Sequence, residues 1–146
     1  TVMDQPNVVV IAQEFIAKHG LQDRIDTVVG NFLETPFPGG HDLASYITPL
    51  QGYMPDEIIA VLRRSLDALK PGGEMLITDY MLEDDKTGPL DPPFVNLAGV
   101  RKGRYLGRVN TGEEWCDFLN QAGYVNATSR WFTPHQLGLI TAQKPG

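Results

Sequence analysis

The sequence predicts an α/β fold, a three-layer sandwich of helices around a mainly parallel sheet. Three observations predict it. Helical and strand patterns alternate in β-α-β-α-β order through the first half of the chain. The run Met75-Leu76-Ile77-Thr78 is apolar on successive residues, the pattern of a strand covered on both faces. Before it stands Leu69-Lys70-Pro71-Gly72-Gly73. Pro cannot continue a helix and Gly accepts positive φ, so that run is a helix stop followed by a reversal. Ligands of such sheets bind outside the carboxyl ends of the strands. Asp79 closes this strand, where such a site would lie.

The elements follow in order. Thr1-Val2-Met3 is the end of a strand, closed by Asp4. Val8, Ile11, Ala12, Phe15 and Ile16 fall on one face of a helix that Gly20 ends. Ile25 to Val29 is a second strand, leading into Gly30-Asn31-Phe32. The turn-rich Pro36 to Gly40 introduces a third, Asp42 to Ile47. Ile58, Ile59, Leu62, Leu66 and Leu69 mark the next helix, which feeds the strand at 74–79. Glu83 to Pro93 is polar and Pro-rich, hence a long loop, and Phe94 to Val100 is a short helix. Thr111-Gly112-Glu113-Glu114 has capping-box spacing ahead of Trp115, Phe118, Leu119 and Ala122. Gly123 stops that helix. Tyr124 to Trp131 and Leu137 to Gln143 are closing strands, an antiparallel pair at one edge.

Composition narrows the function. At 146 residues and 42% hydrophobic, with two Trp, the chain is a single globular domain. A net charge of -6, with twelve Lys and Arg that form no stripe, argues against a nucleic-acid partner. No apolar run approaches the ~20 residues of a membrane span, so no membrane partner is expected. The single Cys116 excludes an internal disulfide and fits a cytoplasmic location. His19, His41 and His135 share no metal-ligand spacing, so no metal is expected.

Some polar residues sit where chemistry could happen. Asp4 ends a strand just before a helix, where a carboxylate can accept hydrogen bonds from a ribose diol. A helix cap or a solvated loop acid is the structural alternative. Asn31 could contact an adenine edge while Phe32 packs on the ring; a turn Asn and a core Phe are the plainer readings. Asp42 begins a strand and is read as structural.

Five motifs run in order along the chain: Val2-Met3-Asp4-Gln5-Pro6, Leu21-Gln22-Asp23-Arg24-Ile25, Gly30-Asn31-Phe32-Leu33, Pro38-Gly39-Gly40-His41-Asp42-Leu43 and Leu69-Lys70-Pro71-Gly72-Gly73. In that order they resemble the S-adenosylmethionine-dependent O-methyltransferases, in the small-molecule class that includes plant phenolic and bacterial polyketide enzymes. Thr87-Gly88-Pro89 and the helix from Thr111 to Gly123 continue the resemblance over nearly the whole chain. The resemblance implies a Rossmann-like methyltransferase fold with strands in the order 3-2-1-4-5-7-6, and S-adenosylmethionine as cofactor, with Asp4, Asn31 and Phe32 on its adenosine part. On that map residues 1–146 are a partial methyltransferase domain, from the second strand to the C-terminus. The first strand, the Gly-rich loop after it and an N-terminal helical dimerisation region would precede Thr1. The full-length parent would then be a homodimer acting on a small-molecule acceptor.

The resemblance also assigns catalytic positions. The family carries a general-base His nine residues after the Asp of its fourth strand. Counting from Asp42 reaches Gln51, in Pro49-Leu50-Gln51-Gly52-Tyr53. Glutamine can orient a hydroxyl but cannot take its proton near neutral pH. Asp79 matches the family's orienting Glu, and a second Glu, expected near Val109, is absent. Asn96 matches a region that lines the acceptor site. The expected function is O-methylation of a small aromatic or polyketide-like acceptor. The alternative is a methyltransferase-like binding module without catalysis. A dinucleotide domain, with Asp4 on the ribose of NAD, ranks last because its fingerprint glycines are missing.

Overall fold

The computed structural model describes residues 1–48, 50–101 and 107–146. They form two units, Thr1–Phe37 and Pro38–Gly146.

In the first unit, β1 (Val2–Asp4) and β2 (Thr27–Val29) pair in parallel around the crossover helix α1 (Pro6–Lys18). Pro6 starts α1, where its missing N–H costs nothing. Gly20, at φ 65°, ends the turn that follows. The expected apolar face of α1 is only partly buried. Val9 is buried and Ala12 and Ile16 are half-buried, whereas Val8, Ile11 and Phe15 are exposed, Phe15 by 58%. Two strands of three residues each offer too narrow a surface to cover the whole stripe.

The second unit contains β3 (His41–Ile47), a 3₁₀ turn at Leu50–Gly52, α2 (Pro55–Ala68), β4 (Leu69–Leu82), α3 (Asp91–Arg101), β5 (Asn110–Thr111), α4 (Gly112–Ala122), β6 (Val125–Thr133) and β7 (Leu137–Gln143). The sheet order is β3-β4-β7-β6, with β5 joined to the end of β4. β3 and β5 run parallel to β4, and β7 is antiparallel to both β4 and β6. The two units thus hold the 3-2 and the 4-5-7-6 portions of the expected order. Residues 1–29 and 41–143 were expected to share one sheet. The described strands instead form two, because none of them takes the central place that joins the portions.

β4 is the spine of the larger unit. Its alternate residues Met75, Ile77, Asp79 and Met81 are buried together with Ile58 and Leu62 of α2, Trp115 and Leu119 of α4, and Ile140 of β7. Burying each of the large apolar side chains is worth roughly 1.5–3 kcal/mol. The opposite face is less covered: Leu76, Thr78 and Tyr80 are half-buried, and Leu43 and Ile47 of β3 are exposed.

β4 departs from expectation at both ends. The helix ends at Ala68, one residue short of the Leu69 assigned to it, and the strand begins at Leu69 and absorbs Lys70-Pro71-Gly72-Gly73 as a bulge. His41 faces Leu69 and Leu43 faces Glu74, so two steps along β3 match five along β4. Gly72 takes φ 75° there, which a residue with a Cβ adopts only under strain. At the other end the strand runs to Leu82, three residues past Asp79, which is therefore interior. Lys144, just beyond β7, clasps the end of α2: its Nζ donates to the carbonyls of Leu66 (2.8 Å) and Leu69 (2.7 Å). A cation there meets both the unpaired carbonyls and the negative end of the helix dipole.

Candidate active site

Strand alternation turns Asp79 inward, and the chain leaving β3 passes over it. Asp79 Oδ2 accepts from the backbone N–H of Leu50 (3.2 Å) and of Gln51 (3.1 Å), and Oδ1 from Tyr80 (2.8 Å). The carboxyl is fully buried. Burial pushes its pKa up to about 6, while the three N–H bonds pull it the other way. From α3, Asn96 Nδ2 donates to the Gln51 carbonyl at 3.2 Å. Gln51, Asp79 and Asn96 are therefore brought together. Asp79 does so through the backbone of the turn, with its oxygens engaged by N–H groups. Pro49 of the same run lies outside the described residues.

The Gln51 side chain is 3% exposed, and its Oε1 has no hydrogen-bond partner among the described residues. A buried carbonyl left unpaired costs about 1–3 kcal/mol. It is an acceptor waiting for a donor.

Asn96 also lines an open cavity of about 470 Å³. Leu82, Leu97 and Val109 give it apolar walls, and Lys86 and Arg108 supply cations. Val109 stands where an acidic residue was expected, so that wall is apolar instead. Both cations reach Glu114 Oε1, each at 2.8 Å. Glu114 also closes the capping box: Thr111 N donates to its Oε2 (2.9 Å), and its own N–H donates to Thr111 Oγ1 (3.2 Å). Burial alone would raise the Glu114 carboxyl, but the bonds from Lys86 and Thr111 and the charge of Arg108 outweigh it and hold it low.

In the first unit, Asp4 ends β1 and Asn31 follows the end of β2, the strand parallel and adjacent to it. Asp4 faces Val29 across the pair, and its carbonyl accepts from Gly30 N at 3.0 Å. Asp4 does not cap α1, whose cap is Gln5; Oδ1 accepts from Gln5 N (2.7 Å), and no partner for Oδ2 occurs among the described residues. That leaves one carboxylate oxygen open to a further donor. Asn31 Oδ1 accepts from Leu33 N at 3.1 Å, which makes it a turn residue as well. Phe32 is half-buried beside it in sequence.

Lys86 and Arg108 escaped the sequence reading. They stand 22 residues apart in segments without periodicity, and only the capping box, read as structural, brings them to one acid. Among the described residues no cluster of three or more His, Cys, Asp or Glu could hold a metal, and no helix is long and apolar enough to cross a membrane.

Comparison with known proteins gives consistent matches. The family model for the O-methyltransferase domain matches residues 1–125. A 3-hydroxy-5-methyl-1-naphthoate 3-O-methyltransferase of Streptomyces sahachiroi is 35% identical over 145 residues, 99% of this chain and 41% of that protein. Aclacinomycin 10-hydroxylase of Streptomyces purpurascens is 30% identical over 120 residues, 82% of this chain and 31% of that protein. The crystal structure of human N-acetylserotonin methyltransferase in complex with S-adenosylmethionine superposes with a TM-score of 0.80 at 25% identity, covering 99% of this chain and 40% of that one. The chain spans less than half the length of each of these relatives.

Proposed function

The chain belongs to the O-methyltransferase domain family, and from that premise we propose that the protein it serves methylates a hydroxyl on a small aromatic or polyketide-like acceptor. Its cofactor is S-adenosylmethionine. When bound, its sulfonium would supply an activated methyl group to the acceptor oxygen, with the thioether as leaving group and the hydroxyl proton passing to solvent. Asp4 would hold the ribose diol, and Asn31 and Phe32 the adenine. Residues 1–146 are then the part of a methyltransferase domain from its second strand onward. The -6 charge favours neither nucleic acid nor an anionic surface as partner. A cytoplasmic, homodimeric parent is part of the same proposal.

The observation that carries this reading is Gln51. Its backbone is fixed by Asp79 on one side and Asn96 on the other, its buried side-chain Oε1 has no partner among the described residues, and Asn96 continues into the cavity. An acceptor hydroxyl would donate to Oε1 and be oriented by it. Glutamine has no useful proton affinity at pH 7. Loss of a general base typically costs about 10²–10⁴ in rate, so the acceptor must be acidic enough to ionise unaided, with positioning supplying the rest. Gln51→His in the full-length polypeptide, assayed on a series of phenols, tests this. The rate should rise for phenols of high pKa and hardly change for acidic ones. Equal gains throughout, or none, would remove Gln51 from the role.

The same glutamine favours a second reading, a methyltransferase-like binding module without catalysis, since its amide has no useful proton affinity at pH 7. Calorimetric binding of an acceptor with no methylated product at any pH would select it.

A further inference from the structure

We propose that the cavity beside Asn96 selects an acceptor that carries a carboxylate, read by Arg108 and Lys86. This rests on the cavity being the acceptor's site. Among the described residues two cations line it and no acidic residue does. Glu114 is the acid that answers them among the described residues, and one carboxylate against a guanidinium and an ammonium leaves one positive charge over.

Donors are left over as well. Glu114 Oε1 takes a single N–H from each cation, whereas Arg offers five and Lys three. The loop's other acids are engaged elsewhere. Asp84 accepts from Glu113 N (2.9 Å), Asp85 from Thr87, and Glu83 lies 3.8 Å from His135. In a chain of net charge -6, a cationic lining is a local exception to the general field. Leu82, Leu97 and Val109 suit the face of an aromatic ring, and a planar guanidinium suits a carboxylate on its edge. Lys86 and Arg108 are about half exposed, at 52% and 56%. Water and salt therefore weaken the contact, and a moderate preference is expected in place of an absolute one.

The test uses the full-length polypeptide with three probes: a hydroxynaphthoic acid, its carboxamide and the matching naphthol. Methyl transfer should favour the acid over the amide about tenfold in kcat/KM, mostly through KM. Arg108→Gln and Lys86→Gln should each shrink the acid-to-naphthol ratio severalfold. Glu114→Gln keeps a capping oxygen and frees both cations, so it should enlarge that ratio. High salt should compress the preference. Equal handling of acid and amide, or variants that lower all three probes alike, would overturn the proposal. If no probe is methylated, the proposed O-methylation fails, but calorimetry still decides this point: tighter binding of the acid than of the amide supports it, and equal binding sinks it.

Discussion

A buried carboxylate with three N–H partners is a device for fixing backbone. Asp79 holds the turn that carries Gln51. Its raised pKa has a consequence for stability. The folded value, about 6, lies above the usual 3.8. The linked stability is thus fully present below about 3.8 and is lost as pH rises through about 6. At 1.36 kcal/mol per unit, the change is roughly 3 kcal/mol. Denaturant unfolding from pH 4 to 7 should show this loss in the chain relative to Asp79→Asn, which cannot ionise. Parallel pH profiles would refute the assignment. From sequence Asp79 could be placed at the carboxyl end of its strand, but not inside it. The difference lies in Tyr80 to Leu82, whose pairing with β7 and β5 depends on residues far along the chain.

Elements were legible where their signals are local. The capping box at Thr111 and Glu114, the left-handed Gly123 at φ 103° and the bounds of β7 all follow from short-range chemistry. Thr111→Ala should therefore cost about 1 kcal/mol and lower the melting temperature by about 3 °C, while Thr111→Ser should restore most of it. A calorimetric scan of both variants checks this. Other elements were misread where a distant partner decides. The Pro-Gly-Gly run joins β4 because Gly72 N donates to Lys144 O (3.2 Å) and Gly73 O accepts from Lys144 N (2.8 Å). The apolar stripe of α1 marks the helix correctly, but how much of that face is buried depends on what lies opposite.

At the scale of the molecule the two units differ in how well they are held. A two-stranded sheet is marginal alone, and the first unit adds to it a helix with one buried residue, Val9. Its amides should exchange with solvent at least tenfold faster than those of Met75 to Ile77 and Leu139 to Thr141. Mass-resolved hydrogen exchange would show this, and equal protection would refute it. The clasp of Lys144 on α2 also has a consequence in time. α2 and β4 leave the ribosome long before their partners do. β4 ends at Leu82 and β7 at Gln143, roughly 60 residues later. At about 5–20 residues per second, the nascent chain waits roughly 3–12 s with Met75 and Ile77 unpaired on one edge and the last carbonyls of α2 uncapped. Both are closed only once Leu139 to Lys144 have left the ribosome.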